Sequence, residues 1–306
     1  MLTFKRLSVV VITFVLMLAT TAQGGAQSNN PPEAFETLSL TRGGAIVRVD
    51  FDNGPLNLVD GPMLADLARL AAVLAADTDA KVVVFGSANP EFFLARADLA
   101  LLARLEAITE PPAGLSPFHQ LTEAYRALPQ ITIAEVCGIT RGAGSEFVLA
   151  LDIRIACDDA VFSQPEIGFA LQPGGGAFHR LSENVGRSRA LEIIVSGRDL
   201  SGAEAAAYGW VNRSMPHAEL ADATRVLAGQ IARWDHAALT RAKRTYNAVA
   251  GFDDTEERHA RLQIEFARFV EAVQSDAGRA RINAFASNPS DPVERERRLQ
   301  HVLSDG

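Results

Sequence analysis

Three short, mainly apolar runs constrain the fold of this chain more than any other feature. They are KVVVFG at 81–86, ITIAEVCGI at 131–139 and IRIAC at 153–157. Runs of this kind are typical of strands covered on both faces, as in parallel sheets. Helical patterns lie around them, one capped by Asp60 and another beginning with a capping box at Ser201 and Glu204. Alternating strands and helices predict an α/β layer architecture.

The N-terminus differs in kind from the rest of the chain. Lys5 and Arg6 precede an uncharged stretch, LSVVVITFVLMLA, at 7–19. This pattern is typical of a signal peptide, since a membrane-spanning helix needs about 20 apolar residues. We therefore expect a signal peptide at 1–26, cleaved after Ala22 or Ala26, a polar linker at 27–37, and export to the periplasm. A misassigned start codon on a cytoplasmic protein and an uncleaved membrane anchor are the alternatives.

Composition and cysteine usage exclude several classes of function. The formal net charge is -8 and no basic stripe is present, so nucleic acid is not an expected partner. Cys137 and Cys157 lie in apolar runs, without C-x-x-C spacing or a histidine nearby in the sequence, and no metal site is expected. We interpret both as small buried hydrophobic residues, with a disulfide as the alternative.

The C-terminal part of the chain is predicted to be helical. Leu262, Phe266, Val270 and Val273 recur along one side of a helical pattern, and such an apolar face must be buried. In a homo-oligomer a neighbouring subunit could cover it. The predicted organisation is a core at 38–253, a helical region at 254–288 and a charged, Pro-interrupted flexible tail at 289–306.

The Gly-rich stretch at 138–146 matches none of the common nucleotide or hydrolase motifs. Ser145 lacks the flanking glycines of a nucleophile elbow, and Phe147 occupies the third Gly position of a dinucleotide loop. What remains is a strand that runs through Gly142, Ala143 and Gly144 into an apolar helix. A helix start of this kind presents unpaired N–H donors that a ligand oxygen can approach, which makes it a candidate oxyanion site.

Two glutamates lie in unusually apolar surroundings. Glu146 falls in the first turn of the helix that reads FVLAL, and Glu166 follows Pro165 in VFSQPEIGFAL. Glutamate is rarely buried without a partner or a task. One could be a ligand of the helix dipole and the other a surface carboxylate. If both face one pocket, they could hold a water molecule and act as acid and base.

Longer strings resemble successive signature blocks of the crotonase (enoyl-CoA hydratase/isomerase) superfamily. They are VVVFGSANPEFFLARADL, ITIAEVCGITRGAGSEFVLALDIRIACDDAVFSQPEIGFALQPGGG and ALEIIVSGRDLSGAEAAAYGWVNRSM. The resemblance spans about 38–286 and includes the order of the blocks and the interval between the two glutamates. It implies an α/β fold, a crotonase-like spiral of ββα units with a helical C-terminal oligomerisation region, and assembly as a homotrimer or hexamer.

The resemblance also implies a role for each site residue. Ala97 and Ala143 match the residues whose N–H groups form the oxyanion hole. Glu146 and Glu166 match the two glutamates that hold one water for syn addition to a trans-2-enoyl thioester. The positions matching the surrounding substrate-binding segments are Ala95, Arg96, Asp98, Gly142 and Gly174. The expected substrate is an acyl-CoA or a similar acyl thioester, with no cofactor other than coenzyme A as part of that substrate.

The sequence departs from the family pattern around the oxyanion residues. The usual Gly before the first of them is Arg96 here, and Arg141 lies two residues before Ala143. Glu91 and Ala100 stand where many relatives have a Lys that serves the CoA phosphates. Arg96 could reach a phosphate, obstruct the adenine channel or be a solvated loop cation.

Three functional hypotheses follow from these observations. The first is a trans-2-enoyl-CoA hydratase. The second is another crotonase activity, such as enoyl-CoA isomerisation or thioester hydrolysis, on CoA or another carrier. The third is a non-catalytic exported protein that retains the fold, which the presence of both glutamates disfavours. The acyl pocket is expected to be lined by the segment 102–129, whose PPAG sequence is typical of a flexible interruption.

Overall fold

A computed structural model describes residues 34–109, 114–251 and 255–304 of the chain. The predicted signal peptide and most of the predicted linker lie outside these residues. Within them, a six-stranded sheet is formed by β1 (Leu38–Gly43), β2 (Ile46–Phe51), β3 (Val82–Ser87), β5 (Ile131–Val136), β7 (Ile153–Cys157) and β10 (Arg213–Met215), in that spatial order. A four-stranded sheet is formed by β4 (Phe92–Leu94), β6 (Ile139–Arg141), β8 (Val161–Ser163) and β9 (Leu200–Ser201).

The helices of the described residues surround these two sheets. They are α1 (Gly61–Ala76), α2 (Leu99–Leu105), α3 (Pro117–Ala127), α4 (Ala143–Val148), α5 (Ala177–Val185), α6 (Arg187–Ser196), α7 (Gly202–Tyr208), α8 (His217–Ala232), α9 (His236–Val249), α10 (Glu256–Gln274), α11 (Asp276–Ala286), α12 (Pro292–Arg297) and α13 (Leu299–Ser304), with a 3-10 helix at Pro165–Phe169. None of them is long and apolar enough to cross a membrane.

From β3 to β8, successive strands alternate between the two sheets. β3, β5 and β7 pair in parallel in the larger sheet, and each is followed by a strand of the smaller sheet, β4, β6 or β8, before the next helix. Each pair of strands with its helix is one turn of a ββα spiral. The predicted α/β class and crotonase-like spiral are confirmed, because the three mainly apolar runs form neighbouring buried strands.

An aromatic cluster holds α4 against the larger sheet. The ring of Phe147, a buried residue of α4, makes edge contacts with Phe51, Phe85 and Tyr125 at centroid distances of 5.9, 5.6 and 5.0 Å. The Tyr125 hydroxyl donates to the main-chain oxygen of Leu67, so this buried polar group is satisfied. The position of α4 is therefore fixed by packing that lies outside the candidate site.

The two cysteines are bonded to each other. Cys137 follows β5, Cys157 ends the neighbouring strand β7, and their Cα atoms are 5.1 Å apart across a disulfide. This corrects the interpretation of both as free buried thiols, because only the pairing of the two strands brings them together. The side chain of His217 has a ring nitrogen within 4.8 Å of both sulfur atoms, a neighbour that the sequence did not predict. With both sulfurs in a disulfide, neither is a thiolate ligand.

The apolar stripe of the late helix is covered by its own chain. In α10, Leu262, Val270 and Val273 are buried, and Val273 packs in a cluster with Leu102 and Leu171. The expectation that a neighbouring subunit covers this stripe is therefore wrong, since periodicity shows which face is buried but not what covers it. Assembly as a homotrimer or hexamer stays a prediction, without this stripe in its support.

The segment from 289 differs from the flexible tail that its charge and prolines indicated. Asp291 caps α12 by accepting hydrogen bonds from the N–H groups of Val293 and Glu294. Leu299, at the start of α13, is fully buried. The side chain of Leu303 lies against Gly168, where a Cβ would come 2.7 Å from it. The tail is thus packed back onto the 3-10 helix Pro165–Phe169, beside the candidate site.

Candidate active site

One cavity, of about 350 Å³, brings together most of the residues that the sequence singled out. It lies between the loop after β4, the N-terminus of α4, the 3-10 helix and α10. Seven of the predicted site residues line it, namely Arg96, Ala97, Gly142, Ala143, Glu146, Glu166 and Gly174.

Two predicted substrate-binding residues do not line this cavity. Ala95 is fully buried in a small apolar cluster with Phe92 and Ile139. The Oδ1 atom of Asp98 accepts a hydrogen bond from the Ala100 N–H, which makes Asp98 the N-cap of α2. Both residues support the segment that carries Ala97, rather than the cavity itself.

Two backbone hydrogen bonds with Val59 hold the residues on either side of Ala97. The Val59 N–H donates to the Arg96 oxygen, and the Asp98 N–H donates to the Val59 oxygen, at 2.9 and 3.0 Å. In a parallel bridge of this kind the N–H of the central residue faces away from the partner strand. The Ala97 N–H donates to no acceptor within the described residues. It is free to bind a ligand oxygen.

Ala143 is the first residue of α4, where an N–H has no intrahelical acceptor. Gly142, just before it, has φ +50°, a left-handed conformation that favours glycine. A Cβ on Gly142 would also come 2.7 Å from Oε1 of Glu166. The glycine therefore serves both the sharp turn into the helix and the close approach of the carboxylate.

Glu146 is buried in the first turn of α4. Its Oε1 atom accepts hydrogen bonds from the N–H groups of Gly175 and Ala177, at 2.7 and 3.3 Å. Burial raises the pKa of Glu146, although these two hydrogen bonds and the charge of Arg180 oppose the rise. A Cβ on Gly175 would collide with Glu146, so the Gly-rich loop at 174–176 is fitted around this carboxylate.

Glu166 is half-buried on the 3-10 helix that Pro165 begins. Desolvation, and then the charges of Glu146 and Glu265, raise the pKa of Glu166 well above its ordinary value. Its Oε2 atom has no hydrogen-bond partner within the described residues. An unpaired carboxyl oxygen facing a cavity is a group that can bind a water molecule or a substrate.

A third carboxylate, Glu265 of α10, was not predicted from the sequence. It is buried, and its Oε1 atom accepts a hydrogen bond from the Gly176 N–H at 2.7 Å. Burial and the charge of Glu146 raise the pKa of Glu265 to about 8. The only signal of Glu265 in the sequence is that this charged residue lies between Leu262 and Phe266, which are both on the apolar side of α10. Glu146 and Glu265 thus both accept hydrogen bonds from backbone N–H groups at 175–177, where α5 begins.

Arg96 is not a solvated loop cation. It is only 8% exposed, and its guanidinium forms an ion pair at 2.7 Å with Glu296, which is fully buried. Its Nη1 atom donates to the main-chain oxygen of Ala97 at 2.8 Å. Glu91, at a position where many relatives have Lys, forms an ion pair with Arg297. Both side chains are engaged with the C-terminal tail, and the ion pair with Glu296 leaves little of the Arg96 guanidinium for a phosphate.

The rest of the cavity wall is mainly apolar. Leu102, Leu105 and Phe118 come from the segment 102–129, as predicted for the acyl pocket. Phe266 and Phe269 come from α10. Most of the PPAG sequence lies outside the described residues. A mainly apolar wall of this kind suits a hydrocarbon chain.

Fold and cavity together define a ββα-spiral protein in which carboxylates lie beside free backbone N–H donors. The model of the family described as enoyl-CoA hydratase/isomerase matches residues 41–288, and the chain belongs to this family, the crotonase family. A carnitinyl-CoA dehydratase from Escherichia coli strain K12 is 31% identical over 217 residues, which cover 70% of this chain and 82% of the relative.

Solved structures show the same relationship. A proposed enoyl-CoA hydratase from Streptomyces avermitilis is 30% identical, with a TM-score of 0.79 over 89% of this chain and 98% of that one. An enoyl-CoA hydratase from Mycobacterium avium subsp. paratuberculosis K-10 is 25% identical, with a TM-score of 0.71 over 81% of this chain and 98% of that one. The relatives are named as hydratases and dehydratases, which supports an enzyme of the crotonase family.

Proposed function

We propose that the protein hydrates a trans-2-enoyl thioester by syn addition of water, with coenzyme A as part of the substrate. The observation that carries this proposal is the presence of Glu146 and Glu166 in one cavity with the free N–H of Ala97 and the helix-start N–H of Ala143. The dehydratase relative supports the same class of reaction, because hydration and dehydration are two directions of one equilibrium.

In this reaction the thioester oxygen accepts hydrogen bonds from Ala97 and Ala143. When water oxygen bonds to the β-carbon, the π electrons move toward the thioester and charge develops on that oxygen. Two preorganised N–H donors each stabilise this charge by on the order of 3 kcal/mol. Protonation of the α-carbon then completes the addition of a hydroxyl group and a proton, and the proton that one glutamate takes from water replaces the proton that the other gives up.

The two glutamates divide the acid and base roles by their surroundings. Glu146 receives two N–H hydrogen bonds, which favour its ionised form and suit it to take the proton from water. Glu166 has a pKa raised by desolvation and by Glu146, which favours its protonated form and suits it to protonate the α-carbon. Carboxyls coupled in this way titrate as a unit rather than separately.

The second candidate is another crotonase activity, double-bond isomerisation or thioester hydrolysis. Isomerisation moves a proton between two carbons and does not require two carboxylates around one water. The presence of both glutamates favours hydration over isomerisation, and an enzyme over a non-catalytic protein. Purified protein should hydrate crotonyl-CoA, seen as loss of the ultraviolet absorbance of the conjugated enoyl thioester. Release of free CoA thiol, or no reaction with any enoyl thioester, would contradict the proposal.

The pH dependence of kcat should reflect the ionisation of Glu265. Its pKa of about 8 lies above the ordinary glutamate value, so it is neutral below pH 8 and becomes an anion as the pH rises through that value. A new charge beside Glu146 and the developing enolate should then lower kcat. Glu265→Gln keeps the neutral form at every pH, so kcat should be near that of the wild type at lower pH and should not fall near pH 8.

The stability of the same variant provides a control. Because the folded-state pKa of Glu265 is raised, ionisation opposes folding increasingly from the unfolded value up to about 8. Glu265→Gln should therefore be more stable than the wild type in alkaline solution and similar to it in acid. An unchanged alkaline limb of kcat in this variant would show that Glu265 does not titrate in the reaction.

We also propose that the protein is exported. The basic start and short apolar run of residues 5–19 support this, and so does the bond between Cys137 and Cys157, because disulfides persist mainly in oxidising compartments. Mass spectrometry of the protein from its native host should find a chain that lacks its first 22 or 26 residues and that contains no free thiol. A full-length chain with two reduced cysteines would contradict export.

A further inference from the structure

Both predicted oxyanion residues lie close to a buried arginine, and both arginines contact Glu296. Arg96 directly precedes Ala97, and its Nε donates to Oε1 of Glu296 at 2.7 Å. Arg141 lies two residues before Ala143, and its Nη1 donates to the main-chain oxygen of Glu296 at 2.6 Å. All three side chains are buried, which is unusual for charged groups unless they are paired.

Each arginine also holds its own segment of the site. The Nη1 atom of Arg96 donates to the Ala97 oxygen, and the Arg96 oxygen accepts from the Val59 N–H. The peptide planes on both sides of Ala97 are therefore fixed, and with them the direction of its N–H. Arg141 ends β6, directly before the turn into α4, and makes a two-pronged ion pair with Asp199 at 2.6 and 2.9 Å.

Several contacts keep Glu296 in place. The cap at Asp291 begins its helix, Arg297 pairs with Glu91 of the loop before β4, and Leu299 is buried just after it. These contacts lie outside the cavity. The tail therefore holds Glu296 in place through contacts other than those with Arg96 and Arg141.

We propose that Glu296 is a positioning residue that links the two halves of the oxyanion hole through Arg96 and Arg141. The inference rests on the proposed function, because it assigns Glu296 to the placement of the N–H donors of Ala97 and Ala143. A buried ion pair is by itself weak evidence for stability, since apolar groups of similar volume often stabilise a fold as well. Glu296 lies beside both segments that carry the N–H donors, Ala97 and Ala143, and this location indicates a role in positioning them.

The consequence is an effect on rate rather than on binding. Oxyanion donors act through fixed geometry, and the charge that they stabilise is fully developed only in the transition state. A displacement of about 1 Å can cost about 100-fold in rate. Glu296→Gln retains an acceptor oxygen but loses the charge that holds the Arg96 guanidinium. We expect kcat to fall about 10- to 100-fold, with KM within about twofold of the wild type.

The matched control is Glu294→Gln, an exposed position on the same helix. Its kcat and KM should equal those of the wild type. A spectroscopic measurement then separates geometry from turnover. A bound dienoyl-CoA absorbs at longer wavelength when hydrogen bonds polarise its thioester carbonyl. This shift should be present in the wild type and in the control, and clearly smaller in Glu296→Gln.

A double variant addresses the objection that Glu296 only stabilises the fold. Arg96→Leu combined with Glu296→Leu removes both buried charges, so the melting temperature should recover relative to Glu296→Gln. If the pair is only structural, kcat and the spectral shift should recover with it, and this result would overturn the proposal. The proposal predicts that both stay low, because nothing then holds the Ala97 oxygen.

Failure of this inference can be distinguished from failure of the proposed function. A wild type that hydrates crotonyl-CoA, together with a Glu296→Gln variant of equal kcat and equal spectral shift, overturns the inference and leaves the function standing. A wild type that shifts the dienoyl absorption without hydrating any enoyl thioester overturns the function, while the spectral shift still tests Glu296. A wild type that does neither overturns both.

Discussion

Glu146→Gln and Glu166→Gln are each expected to lower kcat by about 10²- to 10⁴-fold, the usual contribution of a positioned acid or base. Glutamine keeps the shape of the side chain and an acceptor oxygen, but it cannot take up or deliver a proton as a carboxyl group does. KM should change little, because the thioester carbonyl and the acyl chain are bound by other groups. The measurement is steady-state kinetics with crotonyl-CoA.

The double variant should fall far less than the product of the two single losses. Groups that act on one water as a unit lose most of their joint contribution when either is removed. Glu271→Gln, an exposed glutamate of α10, is the control and should have wild-type kinetics. Single variants that turn over as fast as the wild type would move the assignment to the isomerase or to the non-catalytic protein.

Glu123→Gln should produce the largest loss of stability, about 3–5 kcal/mol in the free energy of unfolding near neutral pH. Glu123 accepts hydrogen bonds from Arg180 at 2.8 Å and from Arg258 at 3.0 Å, and both arginines are buried. Removing the shared carboxylate leaves two buried cations without it. Arg180 also donates to the Gly175 oxygen, so the loop that holds Glu146 should loosen as well.

The acid dependence of this loss follows from the pKa of Glu123. Burial alone would raise that pKa, but hydrogen bonds from Arg258 and the charges of Arg180 and Arg258 lower it to about 2. A lowered carboxyl pKa contributes stability above the unfolded value of 4.5, and this contribution is lost as the pH falls toward 2. Urea unfolding should therefore show a gap between wild type and variant that shrinks in acid. Equal midpoints at neutral pH would contradict the role of Glu123.

Local sequence patterns predicted the elements that depend on local chemistry. The Asp60 side chain caps α1 by accepting from the Met63 N–H, and Ser201 with Glu204 forms the capping box that starts α7. The three apolar runs became adjacent buried strands. The start of α4 at Ala143 follows from the glycine before it, whose conformation few other residues adopt. The glutamates could be placed because each belongs to a short element with a clear start.

Contacts between residues far apart in the chain could not be predicted in this way. Cys137 and Cys157 meet only because β5 and β7 are neighbours in the sheet. Glu265 and Glu296 look like ordinary charged residues of polar helices until those helices pack beside the cavity. Periodicity identified the buried face of α10. Which residues cover that face depends on how α10 packs against the rest of the chain, and periodicity does not show this.

In the proposed reaction, a hydroxyl group and a proton add to the same face of the double bond. The most direct test is to run the reaction of purified protein with crotonyl-CoA in deuterium oxide and to analyse the product by proton NMR. We predict a 3-hydroxybutyryl thioester with a single deuterium on the α-carbon, in the configuration that syn addition produces. Deuterium exchange into the enoyl thioester without addition of water, or release of the CoA thiol, would contradict syn hydration by this protein.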